Sequence, residues 1–202
     1  MLNRWKKFFE RKLNPIGRAL AKLPISSNIL SVLGLISSFI AAYFILNSSF
    51  LLSVLFILVS GFFDMVDGLV ARIRGQVTKF GEVLDSVLDR YSDAIIFAAL
   101  IYSNLIDTIW GLLALIGSLL TSYARAKGEI MHLKMSGVGL IERPERILLI
   151  CIGILLIEYF PVDFLGISAV NWVIIIIAIA TNISVIQRMF YIRKELIKLS
   201  SD

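Results

Sequence analysis

Four aspartates with helical spacing stand out in the first half of the chain. Asp64 and Asp67 are three positions apart and Asp85 and Asp89 are four apart, so each pair shares one face of a helix. Four converging carboxylates repel one another, and burying them without counter-charge is strongly unfavourable. Divalent cations relieve this repulsion, and oxygen ligands without a His or Cys cluster favour Mg²⁺ or Mn²⁺. The pattern predicts a metal site that joins the two pairs.

The sequence around these aspartates is too apolar for an ordinary soluble domain. Of its 202 residues, 58% are hydrophobic and 17% are charged. We therefore predict an all-α integral membrane protein with a single domain over residues 1–202. A bilayer core about 30 Å thick requires roughly 20 apolar residues per helix, and six such runs are present. They lie at Asn28–Leu46, Phe50–Ala71, Gly81–Tyr102, Asp107–Ala126, Arg146–Phe160 and Ala169–Tyr191.

Positively charged residues occur at only one side of these six predicted spans. All 20 Lys and Arg residues lie before the first span, in or near the second-to-third and fourth-to-fifth connections, or at the C-terminal end. The connections at residues 47–49, 103–107 and 161–168 contain none. Because cytoplasmic loops are enriched in Lys and Arg, we predict a protein of the cytoplasmic membrane with both termini in the cytoplasm.

The first 23 residues combine positive charge with aromatic side chains. Basic residues alternate with Trp5, Phe8, Phe9 and Leu13 at helical spacing, and no long apolar run follows as in a signal peptide. The segment 1–23 is therefore predicted to be an amphipathic helix on the anionic membrane surface, preferred over a solvated basic tail. The six-helix transmembrane domain follows over residues 28–191, and no nucleic-acid partner is expected.

The aspartates are predicted to lie near the cytoplasmic ends of the second and third spans. One alternative is that they form ordinary salt bridges with Arg72, Arg74 and Arg90. Ionisable residues inside membranes usually serve a function, and four in this arrangement exceed what helix packing needs. A second alternative is a cation transporter, but a transport pathway needs acidic residues distributed through the membrane depth. The clustering at one side favours a metal site that faces the cytoplasm.

The same stretch resembles the signature of the CDP-alcohol phosphatidyltransferases. The matching residues are Asp64-x-x-Asp67-Gly68-x-x-Ala71-Arg72, then eight residues, then Gly81-x-x-x-Asp85-x-x-x-Asp89. The resemblance implies transfer of a phosphatidyl-type group from a CDP-linked lipid to a small alcohol, with release of CMP. It also implies two Mg²⁺ or Mn²⁺ ions, ligated by Asp64, Asp67, Asp85 and Asp89, and a homodimer.

Further roles follow from this resemblance. Asp89 would also act as the general base for the acceptor hydroxyl, and Arg72 would hold a phosphate of the donor. The remaining residues expected to bind the CDP-linked lipid are Asp67, Gly68, Ala71, Thr78 and Gly81. The family has a Pro-Asn motif before the first span, whereas here three residues separate Pro24 from Asn28. The role of Asn28 is therefore left open.

A basic segment between the fourth and fifth predicted spans bears on the acceptor. Its positive charges have two interpretations. They could reflect only the cytoplasmic location of the loop and contacts with lipid headgroups, or they could form a pocket for a phosphorylated acceptor. The sequences "YARAK" and "ERPER" resemble the subfamily that uses inositol phosphate, with ester or archaeal ether lipids. That resemblance assigns the acceptor phosphate to Lys127, Arg146 and Arg188. Glycerol phosphate, serine or another small alcohol are the alternative acceptors.

Overall fold

The structure, a computed structural model, describes residues 15, 17–22, 24–159, 163–164 and 166–199. These residues form six long helices. They are α1 (Ser27–Leu46), α2 (Phe50–Arg74), α3 (Lys79–Tyr102), α4 (Thr108–Ile130), α5 (Arg143–Tyr159) and α6 (Ala169–Leu199). Each predicted span overlaps one of these helices, with different bounds. The predicted surface helix over residues 1–23 falls largely outside the described residues, although residues 17–21 are helical.

Four of the described helices, α1, α2, α4 and α6, are long and apolar enough to cross a membrane. The other two predicted spans differ from them for separate reasons. Helix α5 has 17 residues, which is short for a bilayer core that requires roughly 20. Helix α3 has 24 residues but carries charged side chains through its first half, including Asp85 and Asp89. The six-span count therefore stays a prediction.

Capping residues account for where several helices begin and end. Ser26 precedes α1, and its side chain accepts a hydrogen bond from the Ile29 amide at 3.4 Å. Asp107 caps α4 by accepting from the Ile109 and Trp110 amides. Helix α2 ends at Arg74 and is followed by Gly75, whose φ of +63° is a left-handed conformation that glycine adopts without strain.

The described chain divides into two compact units at the Ala99–Leu100 bond. In the first unit, α1 packs against α2 through small and hydroxylated side chains. The hydroxyl oxygens of Ser38 and Ser60 lie 2.8 Å apart, so each polar group finds a partner within the helix pair. Close approach of the two helices positions the residues of α2 relative to those of α1.

Arg74 holds the chain before α1 against α2. Its Nε donates to the Ala21 carbonyl at 3.0 Å and its Nη1 donates to the Ile25 carbonyl at 2.5 Å. Nearby, a Cβ added at Gly17 would come within 2.5 Å of the Leu69 side chain. Gly17, Ala21 and Ile25 therefore lie against the end of α2.

In the second unit, α4 and α5 each pack against α6. Gly117 permits the contact between α4 and α6, because a Cβ there would collide with Thr181 Oγ1. Asn182 Nδ2 donates to the Leu113 carbonyl at 3.1 Å across the same pair. The all-α prediction missed a small antiparallel ribbon before α6, formed by β1 (Asp163–Phe164) and β2 (Ile167–Ser168). Such short strands leave too little sequence periodicity to detect.

Candidate metal site and basic cluster

Three of the four aspartates meet in the first unit. Asp64 comes from α2 and Asp85 and Asp89 come from α3, and each offers a carboxylate oxygen within 4.8 Å of the other two. The three side chains are half-buried. The donor set consists of hard carboxylate oxygens, so it fits Mg²⁺ or Mn²⁺ better than the softer metals that prefer Cys or His. The structure thus brings Asp64, Asp85 and Asp89 together as a possible metal-binding group.

The fourth aspartate is placed differently. Asp67 is 3% exposed, and its carboxylate accepts hydrogen bonds from Ser31 Oγ in α1 and from the Gly68 amide. It does not belong to the group of three, although it interacts electrostatically with Asp85 and Asp64. The sequence prediction assigned all four carboxylates to the metal site, and the structure shows that Asp67 alone among them is fully buried.

The first turn of α3 is shaped by Thr78 and Gly81. Thr78 Oγ1 accepts from the Gly81 amide at 3.0 Å, which caps the helix. A Cβ at Gly81 would lie 3.0 Å from Thr78 Oγ1 and 3.3 Å from Asn28 Oδ1. The structure therefore brings Asn28, whose role the sequence left open, beside the first turn of α3. Thr78 has a capping role independent of any ligand.

Arg72 and Gly68 lie together on α2, while Ala71 is half-buried on the same helix. Arg72 Nη1 is 3.6 Å from the position that a Cβ would occupy at Gly68, so the guanidinium extends along the glycine. Both residues thus occupy the turn that follows Asp67. This placement is compatible with the predicted contact between Arg72 and a phosphate of the donor.

The salt-bridge alternative can be examined at Arg90, which lies beside Asp89. Arg90 Nη1 is 3.9 Å from Asp89 Oδ2, and the Arg90 side chain is 35% exposed. The same Nη1 donates to the Ser86 carbonyl of its own helix. A long, partly exposed ion pair of this kind contributes at most about 1 kcal/mol to the stability of the fold. This pair alone does not account for the grouping of the carboxylates.

A second group of charged residues lies in the second unit. Arg146 and Arg188 are 3% and 4% exposed, and Arg188 interacts electrostatically with Arg146 and Arg125 and with Glu142 and Glu129. Two of the three predicted acceptor-binding residues are thus close to each other. Arg125, which the prediction did not assign, belongs to the same group and also pairs with Glu129 at 2.8 Å.

Arg188 also has a structural function. Its Nε donates to the Val138 carbonyl at 2.8 Å and its Nη1 donates to the Thr121 carbonyl at 2.5 Å. One turn earlier on α6, Ser184 Oγ accepts from the Leu140 amide at 2.9 Å. These contacts fix the loop over residues 131–142 against α6. Sequence reasoning missed them because backbone carbonyls carry no residue-specific signal.

Lys127, the third predicted acceptor-binding residue, differs from the two arginines. Its side chain is exposed, and its Nζ lies 5.6 Å from the centre of the Tyr123 ring, one turn earlier on α4. This is a cation–π distance. The ammonium group is therefore accessible, whereas the guanidinium groups of Arg146 and Arg188 are buried.

Two residues of the first unit were absent from the sequence prediction. Ser31 contacts Asp67, but a serine in an apolar span gives no signal of its partner. Asp93 is buried one turn beyond Asp89. The sequence spacing could have identified Asp93. One face of α3 carries a residue of this series at every fourth position, namely Gly81, Asp85, Asp89 and Asp93.

The chain is similar to known proteins in both sequence and fold. Residues 25–195 match the sequence model of a family described as CDP-alcohol phosphatidyltransferase. The chain is 33% identical to an archaetidylinositol phosphate synthase of Pyrococcus horikoshii, over 97% of this chain and 98% of that protein. It also resembles two crystal structures of the Mycobacterium tuberculosis phosphatidylinositol phosphate synthase.

Both crystal structures are 29% identical in sequence to this chain. The one with CDP-DAG bound has a TM-score of 0.77 and covers 90% of this chain and 94% of that one. The complex with manganese and citrate has a TM-score of 0.76, with coverage of 89% and 88%. The likeness thus extends over nearly the whole chain in both sequence and fold.

Proposed function

Since the chain belongs to the CDP-alcohol phosphatidyltransferase family, we propose that it transfers a phosphatidyl-type group from a CDP-linked lipid to inositol phosphate, with release of CMP. The observation that carries this proposal is the grouping of Asp64, Asp85 and Asp89 within a signature that matches the family. The names of the similar synthases support inositol phosphate as the acceptor. The protein is accordingly a membrane enzyme of phospholipid biosynthesis.

The aspartates would hold divalent cations, either Mg²⁺ or Mn²⁺. We propose two ions, the number that the family resemblance implies. The manganese complex of the similar mycobacterial enzyme supports a divalent metal. When bound, such ions would offset the negative charge that develops on the diphosphate as CMP leaves. Asp64, Asp85 and Asp89 would supply one ligand oxygen each, and Asp67 would add a fourth carboxylate.

The chain's own residues would perform the remaining steps. The acceptor hydroxyl attacks the phosphorus that carries the lipid, and the bond from that phosphorus to the bridging oxygen of CMP breaks. Asp89 would accept the proton of the hydroxyl as the new phosphate ester forms. Arg72 would hold a phosphate of the donor. The nucleotide would lie against the turns shaped by Gly68, Ala71, Thr78 and Gly81.

Lys127, Arg146 and Arg188 would bind the phosphate of the acceptor. The burial of Arg146 and Arg188 supports this role, since a buried guanidinium gains more from an anionic partner than an exposed one. Lys127 would contribute an accessible ammonium group. Hydrogen bonds in which both donor and acceptor are ionised are available to inositol phosphate but not to free inositol.

A panel of acceptors tests the proposal directly. We expect purified protein with Mg²⁺ and CDP-diacylglycerol, or its ether-linked counterpart, to release CMP when inositol phosphate is added. Free inositol should be used about 10- to 100-fold less efficiently, because contacts worth roughly 1.5–3 kcal/mol are lost. CMP release, measured for each donor and acceptor, gives kcat/KM and identifies the lipid chains.

The same panel separates the rival acceptors. A preference for serine or glycerol phosphate would contradict the acceptor assignment and leave the transferase reaction intact. Absence of CMP release with every acceptor, in protein that binds the donor, would contradict the reaction itself.

We further propose the cytoplasmic membrane as the location, with both termini and the metal site on the cytoplasmic side. The one-sided distribution of Lys and Arg supports this orientation. Reporter domains fused at either terminus should read cytoplasmic, and one inserted at residues 47–49 should read external. Termini on opposite sides would contradict the six-span topology. Assembly as a homodimer stays a prediction.

A further inference from the structure

Ser31 of α1 contacts one of the proposed metal ligands on the neighbouring helix. Its hydroxyl donates to Oδ2 of Asp67, and both side chains are buried. The hydroxyl also lies 3.3 Å from the Ser27 carbonyl oxygen, but it has a single proton to donate. The closer, charged acceptor takes that proton, since charge-assisted hydrogen bonds are roughly twice as strong as neutral ones.

The other oxygen of the same carboxylate is also fixed. The Gly68 amide donates to Oδ1 of Asp67, so each oxygen has one donor. Each oxygen nonetheless keeps a lone pair that a cation can use. The Gly68 donor belongs to the same helix as Asp67, whereas Ser31 joins the carboxylate to α1. Loss of the Ser31 hydroxyl would therefore release one side of the carboxylate.

We propose that Ser31 is a positioning residue, which holds the Asp67 carboxylate in the orientation that binds a divalent cation. This inference rests on the metal site put forward under the proposed function. Groups that orient metal ligands without touching the metal typically change affinity or activity by about 10- to 100-fold when they are removed. The contact between Ser31 and Asp67 is of that kind.

Metal affinity in the absence of substrate provides the test. Calorimetric titration of purified protein with Mn²⁺ should show about tenfold weaker binding for Ser31→Ala than for the parent. Ser31→Thr retains a hydroxyl at the same position, and it should recover most of the affinity. The unfolding temperature of each variant shows whether it has folded.

Ser38→Ala is the matched control. Ser38 is buried on the same helix, and its hydroxyl contacts Ser60 of α2 in the same interface as Ser31. This variant removes an equivalent group without touching Asp67, so its Mn²⁺ affinity should equal that of the parent. If Ser31→Ala and Ser38→Ala bind Mn²⁺ equally well, the positioning role is wrong.

Asp85→Asn separates this inference from the metal site on which it rests. If Asp85→Asn loses Mn²⁺ binding while Ser31→Ala binds normally, only the inference about Ser31 is contradicted. If the folded parent itself does not bind Mn²⁺, the proposed metal site is contradicted and the role of Ser31 with it.

Discussion

Replacement of Asp85 by asparagine is expected to lower CMP release by at least about a thousandfold, which corresponds to roughly 4 kcal/mol of transition-state stabilisation. Asp85 is one of three residues whose carboxylate oxygens converge from α2 and α3. Asparagine keeps the size and one oxygen of the side chain but removes the charge that attracts a cation. Steady-state assays of CMP release, with Mg²⁺ varied, measure the loss.

Glu82→Gln is the control for this substitution. Glu82 lies on the same helix one turn earlier and is exposed, so its replacement removes a carboxylate outside the group of three. It should leave the rate close to that of the parent. Chelation with EDTA should stop the parent reaction, and added Mg²⁺ should restore it. Full turnover in excess EDTA would contradict the metal-dependent mechanism.

Arg188→Ala is expected to impair both stability and acceptor binding. The substitution removes hydrogen bonds to the Val138 and Thr121 carbonyls from a buried guanidinium. Two such bonds from a charged donor contribute about 3 kcal/mol or more to the free energy of unfolding. Their loss should lower the unfolding temperature by roughly 6–12 °C. Relief of repulsion with Arg125 and Arg146 offsets part of this loss. The KM for inositol phosphate should rise tenfold or more.

Two other variants separate the structural function of Arg188 from acceptor binding. Lys127 is exposed, so Lys127→Ala should raise the acceptor KM with little change in unfolding temperature. Arg193 is exposed on the same helix as Arg188, and Arg193→Ala should change stability by less than about 0.5 kcal/mol. An unchanged unfolding temperature in Arg188→Ala would show that the two carbonyl contacts contribute no more than the repulsion that the substitution relieves.

The positions of the helices could be predicted from the sequence because long apolar runs and charged connections leave few alternatives. The observed helix Ser27–Leu46 differs from the predicted span by one residue at its start. Helix α6 continues to Leu199, eight residues beyond its predicted end, because its last turns are too polar for a membrane span but remain good helix formers. Hydropathy reports the apolar part of a helix and not its full length.

The candidate site was predictable to the extent that spacing along one helix determines a shared face. That argument identified the convergence of Asp64, Asp85 and Asp89. It could not distinguish Asp67, whose different surroundings depend on Ser31, a residue 36 positions earlier in the chain. Likewise, positive charge indicated Arg188, but its contacts with the Thr121 and Val138 carbonyls arise only from packing.

The packing of α1 against α2 restricts how this part of the sequence can diverge. Gly34 faces Ser60 and Phe63 with room for an ordinary Cβ contact at 3.5 Å, so exchange between glycine and alanine conserves the helix separation. On the exposed side of α1, Ile36 and Phe39 face no such limit. Side-chain volume is thus the property under constraint on one side of α1, whereas apolarity is the property under constraint on the other.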